Sequence, residues 1–210
     1  GTEETSFVSS RDCLVTDYAA QELVSSCNVT MGWSSTAKGW VKYISNRPWY
    51  MGSFMWTGFD YHGEPCPYVH SAFSSYFGAY DLAGMEKPIV YYYHAWWKNE
   101  PMLKLTPHWN HHTAEKVTVN VFTNCEHVTL KLNGKVVAER DVEQFDAPEF
   151  ELMYEPGVLE AEGVKDGKIY RDVLRTSGAP AALKQELVLK CENDSDVGII
   201  EIAAVDKDGI

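Results

Sequence analysis

A loop that follows an aromatic run carries the side chains in this chain that are best suited to chemistry. Asp60, Tyr61, His62 and Glu64 come directly after an apolar stretch that ends at Trp56. A buried strand that opens into a loop with carboxylates, an imidazole and aromatic rings is how a parallel α/β barrel forms a substrate pocket. Trp and Tyr rings stack on the C–H faces of sugars, and carboxylates accept hydrogen bonds from their hydroxyl groups. The pattern also fits an ordinary core strand followed by a surface turn, and composition alone leaves both interpretations open.

Two helical patterns flank this aromatic run. Apolar residues at positions 40, 43 and 44 have helical spacing, and Pro48 closes that helix. A second helix is predicted to begin near Pro88, because proline suits the first helical turn. Between the helices, Met51–Trp56 is predicted to be a fully buried strand. The order of helix, buried strand and helix is typical of a barrel or a doubly wound sheet.

From about residue 99 the sequence changes to short segments of alternating polarity. Residues 116–122 and 128–132 alternate with period two, and Asn133-Gly134 supplies a type I′ hairpin turn. Asp166-Gly167 is a second turn of this kind, between strands predicted at 159–164 and 169–174. Regularly spaced turns predict an immunoglobulin-like β-sandwich. Further strand candidates at 187–189 and 199–202 follow in a tail too short to close a sandwich core of its own.

Charge and cysteine content argue against several classes of function. A formal net charge of -12 disfavours nucleic acid or an anionic membrane surface as partner, and no apolar stretch is long enough to cross a bilayer. The five cysteines are scattered without a C-x-x-C pair, so we expect free thiols and no structural zinc site. Free thiols slightly favour a reducing compartment such as the cytoplasm, although the localisation is otherwise undetermined. The composition is compatible with an oligomer.

Seven segments resemble those of the family 2 glycoside hydrolases, the β-galactosidase/β-glucuronidase family. In chain order they are Phe54–Pro65, Tyr76–Gly84, Tyr91–Tyr93, Trp96-Trp97, Pro107–Asn110, Thr123–Cys125 and Leu132–Lys135. The resemblance implies an α/β plus all-β fold: the end of a (β/α)₈ TIM barrel in residues 1–98, an immunoglobulin-like β-sandwich in 99–177, and the beginning of a second such module in 178–210. Because a complete barrel needs about 250 residues, the chain is expected to hold only the end of one.

The resemblance also implies a mechanism and a nucleophile. The family hydrolyses glycosides with retention, using one Glu as nucleophile and another as acid/base. The match of residues 1–6 to the end of the seventh barrel strand implies Glu3 as the nucleophile. Glu4 is the rival, because without the preceding strand the alignment can slip by one residue. Adjacent residues on a strand face opposite sides, so only one of the two can point into the barrel. The acid/base would follow an Asn at the end of the fourth barrel strand, which is outside residues 1–210, so this chain alone is expected to be inactive.

The aromatic loop takes its implied roles from the same family. Trp56 is expected to form the floor of the subsite for the non-reducing sugar and to precede a cis peptide bond to Thr57. Asp60, Tyr61, His62 and Glu64 are expected at the mouth of the pocket as substrate ligands. For Asp60 and Glu64 a second role stays open, in which the carboxylate braces the loop through backbone N–H groups.

No cofactor and no metal are expected. The histidines in residues 108–112 invite a metal interpretation, but their match to a Pro-His-Trp-Asn element of the family favours a structural role. Arg11, Arg47 and Lys87 are candidate partners for a uronate carboxylate. The leading hypothesis is the C-terminal portion of a retaining exo-β-glycosidase that acts on terminal β-galactosides. The alternatives are a β-glucuronidase of the same family and a non-catalytic carbohydrate-binding or interaction module.

Overall fold

The computed structural model describes residues 3–11, 13, 14, 16–20, 22–68, 72–111, 115–189, 193 and 197–210. The side chains of Glu3, Glu4 and Leu189 lie outside the described part, as do His112 and Cys191. The described part is mostly β-sheet, with eleven strands and two helices. It divides into two compact units, residues 1–174 and residues 175–210.

The first unit begins with two strands and two helices. These are β1 (Glu3–Ser6), α1 (Ala37–Ser45), β2 (Phe54–Trp56) and α2 (Pro88–Trp97), and β1 pairs with β2 in parallel. The Thr36 side chain caps α1 by accepting a hydrogen bond from the Gly39 N–H, and Pro88 opens α2. Both helices are therefore confirmed at the positions that the sequence predicts.

The prediction of a fully buried strand at Met51–Trp56 is wrong. The strand is only Phe54–Trp56, and its two outer side chains are 74% and 41% exposed. Met55 alone packs against the core formed with the helices. In the described part of the chain β2 has one strand neighbour, β1, and one covered face. Burial of both faces would need a second layer of packing on the side of Phe54 and Trp56.

Seven strands of the first unit form two further sheets. The three-stranded sheet has the order β3 (Leu103–Thr106), β4 (Lys116–Thr123), β7 (Glu149–Met153), and the four-stranded sheet has the order β6 (Lys135–Asp141), β5 (His127–Leu132), β8 (Val158–Lys165), β9 (Lys168–Arg175). Both predicted hairpin turns are confirmed, with positive φ at Asn133-Gly134 and at Asp166-Gly167. Strands β3 and β7 were not predicted.

The two sheets share one hydrophobic core. Val117, Val119 and Val121 of β4 pack in the same cluster as Leu130 of β5 and Leu159 of β8. A second cluster joins the helices to this β-structure, because it contains Tyr92 of α2 together with Phe122 of β4. The helical part and the two sheets are therefore packed as one body within the first unit.

The second unit is a two-stranded antiparallel sheet of β10 (Ala182–Leu189) and β11 (Ile199–Val205). Both strands include the segments predicted from the sequence. Asp206 closes the end of this unit, because its carboxylate accepts hydrogen bonds from the N–H groups of Gly178, Asp208 and Ile210.

A buried carboxylate clamps the helical part to the two sheets. Asp146, only 4% exposed, is paired with Lys38 of α1 and with Arg140 of β6, whose Nη2 is 2.5 Å from Oδ2. The Trp96 indole N–H of α2 donates to the Asp146 carbonyl at 3.0 Å. Burial alone would raise the pKa of Asp146, but hydrogen bonds from Lys38 and the Ala147 N–H, with the charges of Lys38 and Arg140, lower it below its ordinary value.

This clamp predicts a pH-dependent stability. A pKa that is lower in the folded state stabilises the fold above the unfolded-state pKa of about 4, and the contribution is lost as the pH falls through the folded value. We expect Asp146→Asn to lower the free energy of unfolding by about 1–3 kcal/mol at pH 7, with the loss shrinking below about pH 4. Urea denaturation at pH 7 and at pH 2.5 measures the free energy of unfolding of each variant. Asp141→Asn, which removes an exposed partner of His127, is the matched control and should cost less than about 1 kcal/mol. If Asp146→Asn lowered the free energy of unfolding equally at pH 7 and pH 2.5, a stabilising role of the Asp146 charge would be contradicted.

Candidate active site

Two predicted site residues, Glu3 and Trp56, lie on the two paired strands. Glu3 is in register with Phe54 and Ser6 is in register with Trp56, with an irregularity between Glu3 and Thr5. Glu3 therefore lies on the strand next to the one that ends at Trp56. Its side chain is outside the described part, and the choice between Glu3 and Glu4 as nucleophile stays a prediction.

The two faces of this small sheet have different neighbours. Thr5 faces α2, because its Oγ1 lies 3.3 Å from the Tyr93 hydroxyl, and its register partner Met55 packs against the same core. Phe54 and Trp56 alternate with Met55 and so lie on the opposite face, where both are exposed. The face away from the helices is thus the one that presents aromatic surface.

Trp56, Tyr61 and Glu64 form a hydrogen-bonded group on that face. The Trp56 indole N–H donates to the Tyr61 hydroxyl oxygen at 3.1 Å, and the Tyr61 hydroxyl donates to Glu64 Oε2. The two rings meet edge to face, at 88° with centroids 6.0 Å apart. Burial and the hydrogen bond to Glu64 raise the pKa of Tyr61, so its hydroxyl stays protonated as a donor. The group presents a half-exposed indole beside an oriented, exposed carboxylate.

The peptide bond from Trp56 to Thr57 is cis, as predicted.

Asp60 lies apart from this group. It is 8% exposed, and its Oδ2 is 2.6 Å from the Lys87 ammonium while its Oδ1 accepts a 2.7 Å hydrogen bond from the Gly78 N–H. It lines a cavity of about 310 Å³ with Ser74 and Asp81, and that lining does not include Trp56, Tyr61 or Glu64. Of the two roles that the sequence leaves open, the observed contacts are those of a bracing carboxylate. A contact with sugar stays a prediction.

His62 is exposed and stacks on the ring of Phe73, with centroids 5.4 Å apart and an interplanar angle of 25°. Its main chain forms a bridge with Ser74. Its described contacts are therefore with the returning segment of the loop rather than with the Trp56 group.

Sequence reasoning missed the ion pair of Lys87 with Asp60 and the need for glycine at position 78. A lysine before a helix-opening proline looks like a solvated residue, yet Lys87 is 1% exposed. A Cβ atom on Gly78 would lie 2.1 Å from the Asp60 nitrogen and 2.2 Å from the Tyr80 oxygen. The signal for both in the sequence is the Tyr76–Gly84 segment, which matches the family and contains Gly78.

A larger cavity lies elsewhere on the first unit. It has a volume of about 420 Å³ and is lined in part by Arg11, Glu86, Tyr91, Lys104 and His108. Its lining includes Arg11, a candidate partner for a uronate carboxylate, but not Trp56, Asp60, Tyr61, His62 or Glu64. The volume of a cavity therefore does not identify the sugar site in this chain.

The described residues also bear on metals and membranes. Among them, no group of three or more His, Cys, Asp or Glu side chains is placed to hold a metal ion. His108 and His111 stack on each other with centroids 4.7 Å apart. Neither of the two helices in the described part has the length and apolar character needed to cross a membrane.

Comparison with known proteins gives the relatives of this chain. A family model described as a domain of unknown function (DUF4982) matches residues 114–170. The chain is 30% identical over 188 residues to Beta-galactosidase BoGH2A of Bacteroides ovatus, a match that covers 87% of this chain and 22% of that protein. It is also 30% identical over 185 residues to a Beta-glucuronidase of Formosa agariphila, covering 82% of this chain and 18% of that protein.

Solved structures agree with these relatives. A beta-glycosidase from Bacteroides vulgatus superimposes with a TM-score of 0.78 at 30% identity, over 90% of this chain and 24% of that one. A glycosyl hydrolase family 2 member from Bacteroides cellulosilyticus does so with a TM-score of 0.68 at 25% identity, over 83% of this chain and 26% of that one. The chain spans about a quarter or less of the length of these proteins. The resemblance inferred from the sequence is confirmed: the relatives and structural neighbours of this chain are β-galactosidases and β-glucuronidases of glycoside hydrolase family 2, and the chain corresponds to a small part of each.

Proposed function

We propose that this chain contributes one wall of the sugar-binding site of a retaining exo-β-glycosidase that acts on terminal β-galactosides. The observation that carries the proposal is the Trp56–Tyr61–Glu64 group, which combines a half-exposed indole with an oriented carboxylate at the end of a parallel strand. An indole face stacks on a pyranose ring, and a carboxylate accepts hydrogen bonds from sugar hydroxyl groups. Family membership supplies the glycosidic substrate class.

The domain organisation is part of the same proposal. We assign residues 1–98 to the end of a TIM barrel, 99–177 to an immunoglobulin-like sandwich and 178–210 to the beginning of a further module of that kind. The parallel pairing of β1 with β2, each followed by a connection to a helix, supports the first assignment. Two sheets of three and four strands around one core support the second.

The proposed chemistry is double displacement. In the first step the Glu3 carboxylate attacks the anomeric carbon as the bond to the leaving oxygen breaks, and that oxygen takes a proton from an acid/base Glu outside this chain. In the second step water, deprotonated by the same Glu, cleaves the glycosyl ester and regenerates the Glu3 carboxylate. The match to the family favours Glu3 over Glu4, because it aligns the small residue before the nucleophile with Thr2.

The other loop residues have supporting roles in this proposal. Tyr61 orients Glu64 and the indole of Trp56 through its hydroxyl. Asp60 and His62 are retained as predicted ligands at the mouth of the site, although the described contacts of Asp60 are with Lys87 and Gly78.

Charge at the site supports a neutral sugar over a uronate. The three cations considered for a uronate carboxylate are engaged elsewhere: Lys87 with Asp60, Arg11 with Asp81 at 3.0 Å, and Arg47 over the ring of Tyr43 at 3.6 Å. In the described part of the chain, no Lys or Arg pairs with Glu64. An unpaired carboxylate beside Trp56 would repel a uronate. The relative from Formosa agariphila is named a Beta-glucuronidase, which supports the alternative that the substrate is a β-glucuronide.

Substrate preference tests this assignment directly. We expect the full-length product of the gene that encodes this chain to cleave an aryl β-galactoside with a kcat/KM at least about tenfold above that for the aryl β-glucuronide, since a charge repulsion of about 1.4 kcal/mol suffices for that ratio. Glu64→Gln should lower kcat/KM for the galactoside about 10–100-fold, because it weakens a hydrogen bond to a charged group. Glu151→Gln, on an exposed pair with Lys116, is the control and should leave kcat/KM unchanged. A clear preference for the glucuronide would reverse the assignment, and binding of galactose without turnover of either glycoside would favour the binding module.

Paired substitutions test the nucleophile. Glu3→Gln should lower kcat at least about a thousandfold, because the covalent step is lost, whereas Glu4→Gln should change it by less than about tenfold. Both variants are measured on the same aryl galactoside in the full-length protein. A larger loss in Glu4→Gln than in Glu3→Gln would exchange the two roles.

A further inference from the structure

Asp60, the residue before Tyr61 in the loop that carries the Trp56–Tyr61–Glu64 group, forms a buried ion pair with Lys87. The Lys87 ammonium is 2.6 Å from Asp60 Oδ2 and donates to the Tyr76 carbonyl at 3.3 Å. Both side chains are almost completely buried, at 2% and 5% exposure for Lys87 and Asp60. A lysine so deeply buried and so close to a candidate sugar site calls for a physical reason.

The pair connects two main-chain segments. The first segment, residues 57–60, leads from Trp56 to Tyr61; the second, residues 77–80, runs beside it. The Thr57 N–H donates to the Phe77 carbonyl, the Ala79 N–H to the Thr57 carbonyl, and the Asp60 N–H to the Tyr80 carbonyl, at 2.9–3.1 Å. The Asp60 carboxylate crosses this ladder to the Gly78 N–H. Residues 57–60 and 77–80 are thereby held together next to the ion pair.

Lys87 closes this network from the other side. Its own N–H donates to the Ala79 carbonyl at 2.9 Å, and its side chain reaches back to Asp60. Lys87 is also the N-cap residue of α2, a helix whose buried residues pack in the second hydrophobic cluster. The loop is thus held in place relative to the packed helix α2.

The energetics argue that the pair serves geometry more than stability. Burial raises the pKa of the Asp60 carboxyl and lowers the pKa of the Lys87 ammonium, in spite of the attraction between them. Both shifts disfavour the charged forms, so the cost of removing the two charges from water is not fully offset by their contact. A pair that contributes little net stability, yet crosses the ladder next to the site, is expected to fix the arrangement of the groups around it.

We propose that Lys87 is a positioning residue for the sugar site: through Asp60 it fixes the segment between Trp56 and Tyr61, and so holds the indole and the Glu64 carboxylate in the arrangement that meets the sugar. The catalytic part of this inference rests on the proposed function. The positional part concerns only residues of this chain and has its own readout.

The test compares Lys87→Met with Lys38→Met. Methionine keeps most of the length of the lysine side chain and removes the charge in both variants. Lys38 pairs with the buried carboxylate of Asp146, far along the chain from the loop, so its variant controls for the loss of an ion pair as such. Asp60→Asn, which removes the charge but keeps one acceptor oxygen for either the Gly78 N–H or the Lys87 ammonium, serves as a milder variant should Lys87→Met fail to reach a native circular dichroism spectrum.

The first readout is the indole N–H resonance of Trp56 in the chain labelled with ¹⁵N-tryptophan. This proton lies in the hydrogen bond to Tyr61, and Trp56→Phe assigns its signal among the seven tryptophans. We expect the signal to shift or broaden in Lys87→Met, and to a lesser degree in Asp60→Asn, while Lys38→Met leaves it in place. An unchanged Trp56 signal in a natively folded Lys87→Met or Asp60→Asn variant would overturn the proposal.

The second readout is kinetic and uses the full-length protein. We expect Lys87→Met to lower kcat/KM for the preferred aryl glycoside at least about tenfold, and Lys38→Met to retain it at temperatures where the protein stays folded. Native kcat and KM in folded Lys87→Met would show a purely structural role and overturn the proposal. If the parent protein cleaves neither glycoside, the proposed function fails while the indole resonance still decides the role of Lys87.

Discussion

The contact between the Asp60 carboxylate and the Lys87 ammonium is the interaction on which the candidate site depends. A charge that is removed from water must find a partner and fill its remaining hydrogen-bond positions. Here Lys87 is that partner, and the Gly78 N–H occupies the other carboxylate oxygen. The absence of a side chain at position 78 follows from the same arrangement, because a Cβ atom would overlap the Asp60 main chain. One carboxylate thus constrains the residues around it and, through them, the loop.

The site is supported by a body of packed β-sheet as well as by that pair. Phe122 of β4 belongs to the cluster that contains Tyr92 of α2, while Val121 beside it belongs to the core between the two sheets. Alternate residues of one strand therefore serve two cores. A rigid support of this kind is what a binding group needs if its geometry is to be kept within fractions of an ångström. Asp146 lies between the helices and β6 and pairs with Lys38 and Arg140, so it ties the helices to this support.

Features governed by local chemistry could be predicted from the sequence. The turns at Asn133-Gly134 and Asp166-Gly167 follow from the positive φ that these residues tolerate, and the start of α2 follows from Pro88. The cis bond after Trp56 came from the family resemblance, and no local rule would have found it. Features set by distant partners could not be predicted. The prediction that residues 51–56 are buried is wrong, because burial depends on which strands and layers lie beside β2. For the same reason, the edge-to-face contact of Trp56 with Tyr61 and the ion pair of Lys87 with Asp60 could not be predicted.

We propose that the carboxylate of Glu3 in β1 becomes bonded to the sugar, at a site whose floor is Trp56. A 2-deoxy-2-fluoro-β-galactoside with a good leaving group tests it, since the fluorine slows both steps while the leaving group keeps formation of the glycosyl ester fast, so that the ester accumulates. Peptide mass spectrometry of the treated full-length protein should find the added fluorogalactosyl mass on Glu3, with the label removed on prolonged incubation as activity returns. Label on a residue outside β1, or turnover of galactosides with no ester trapped on any residue, would contradict the account.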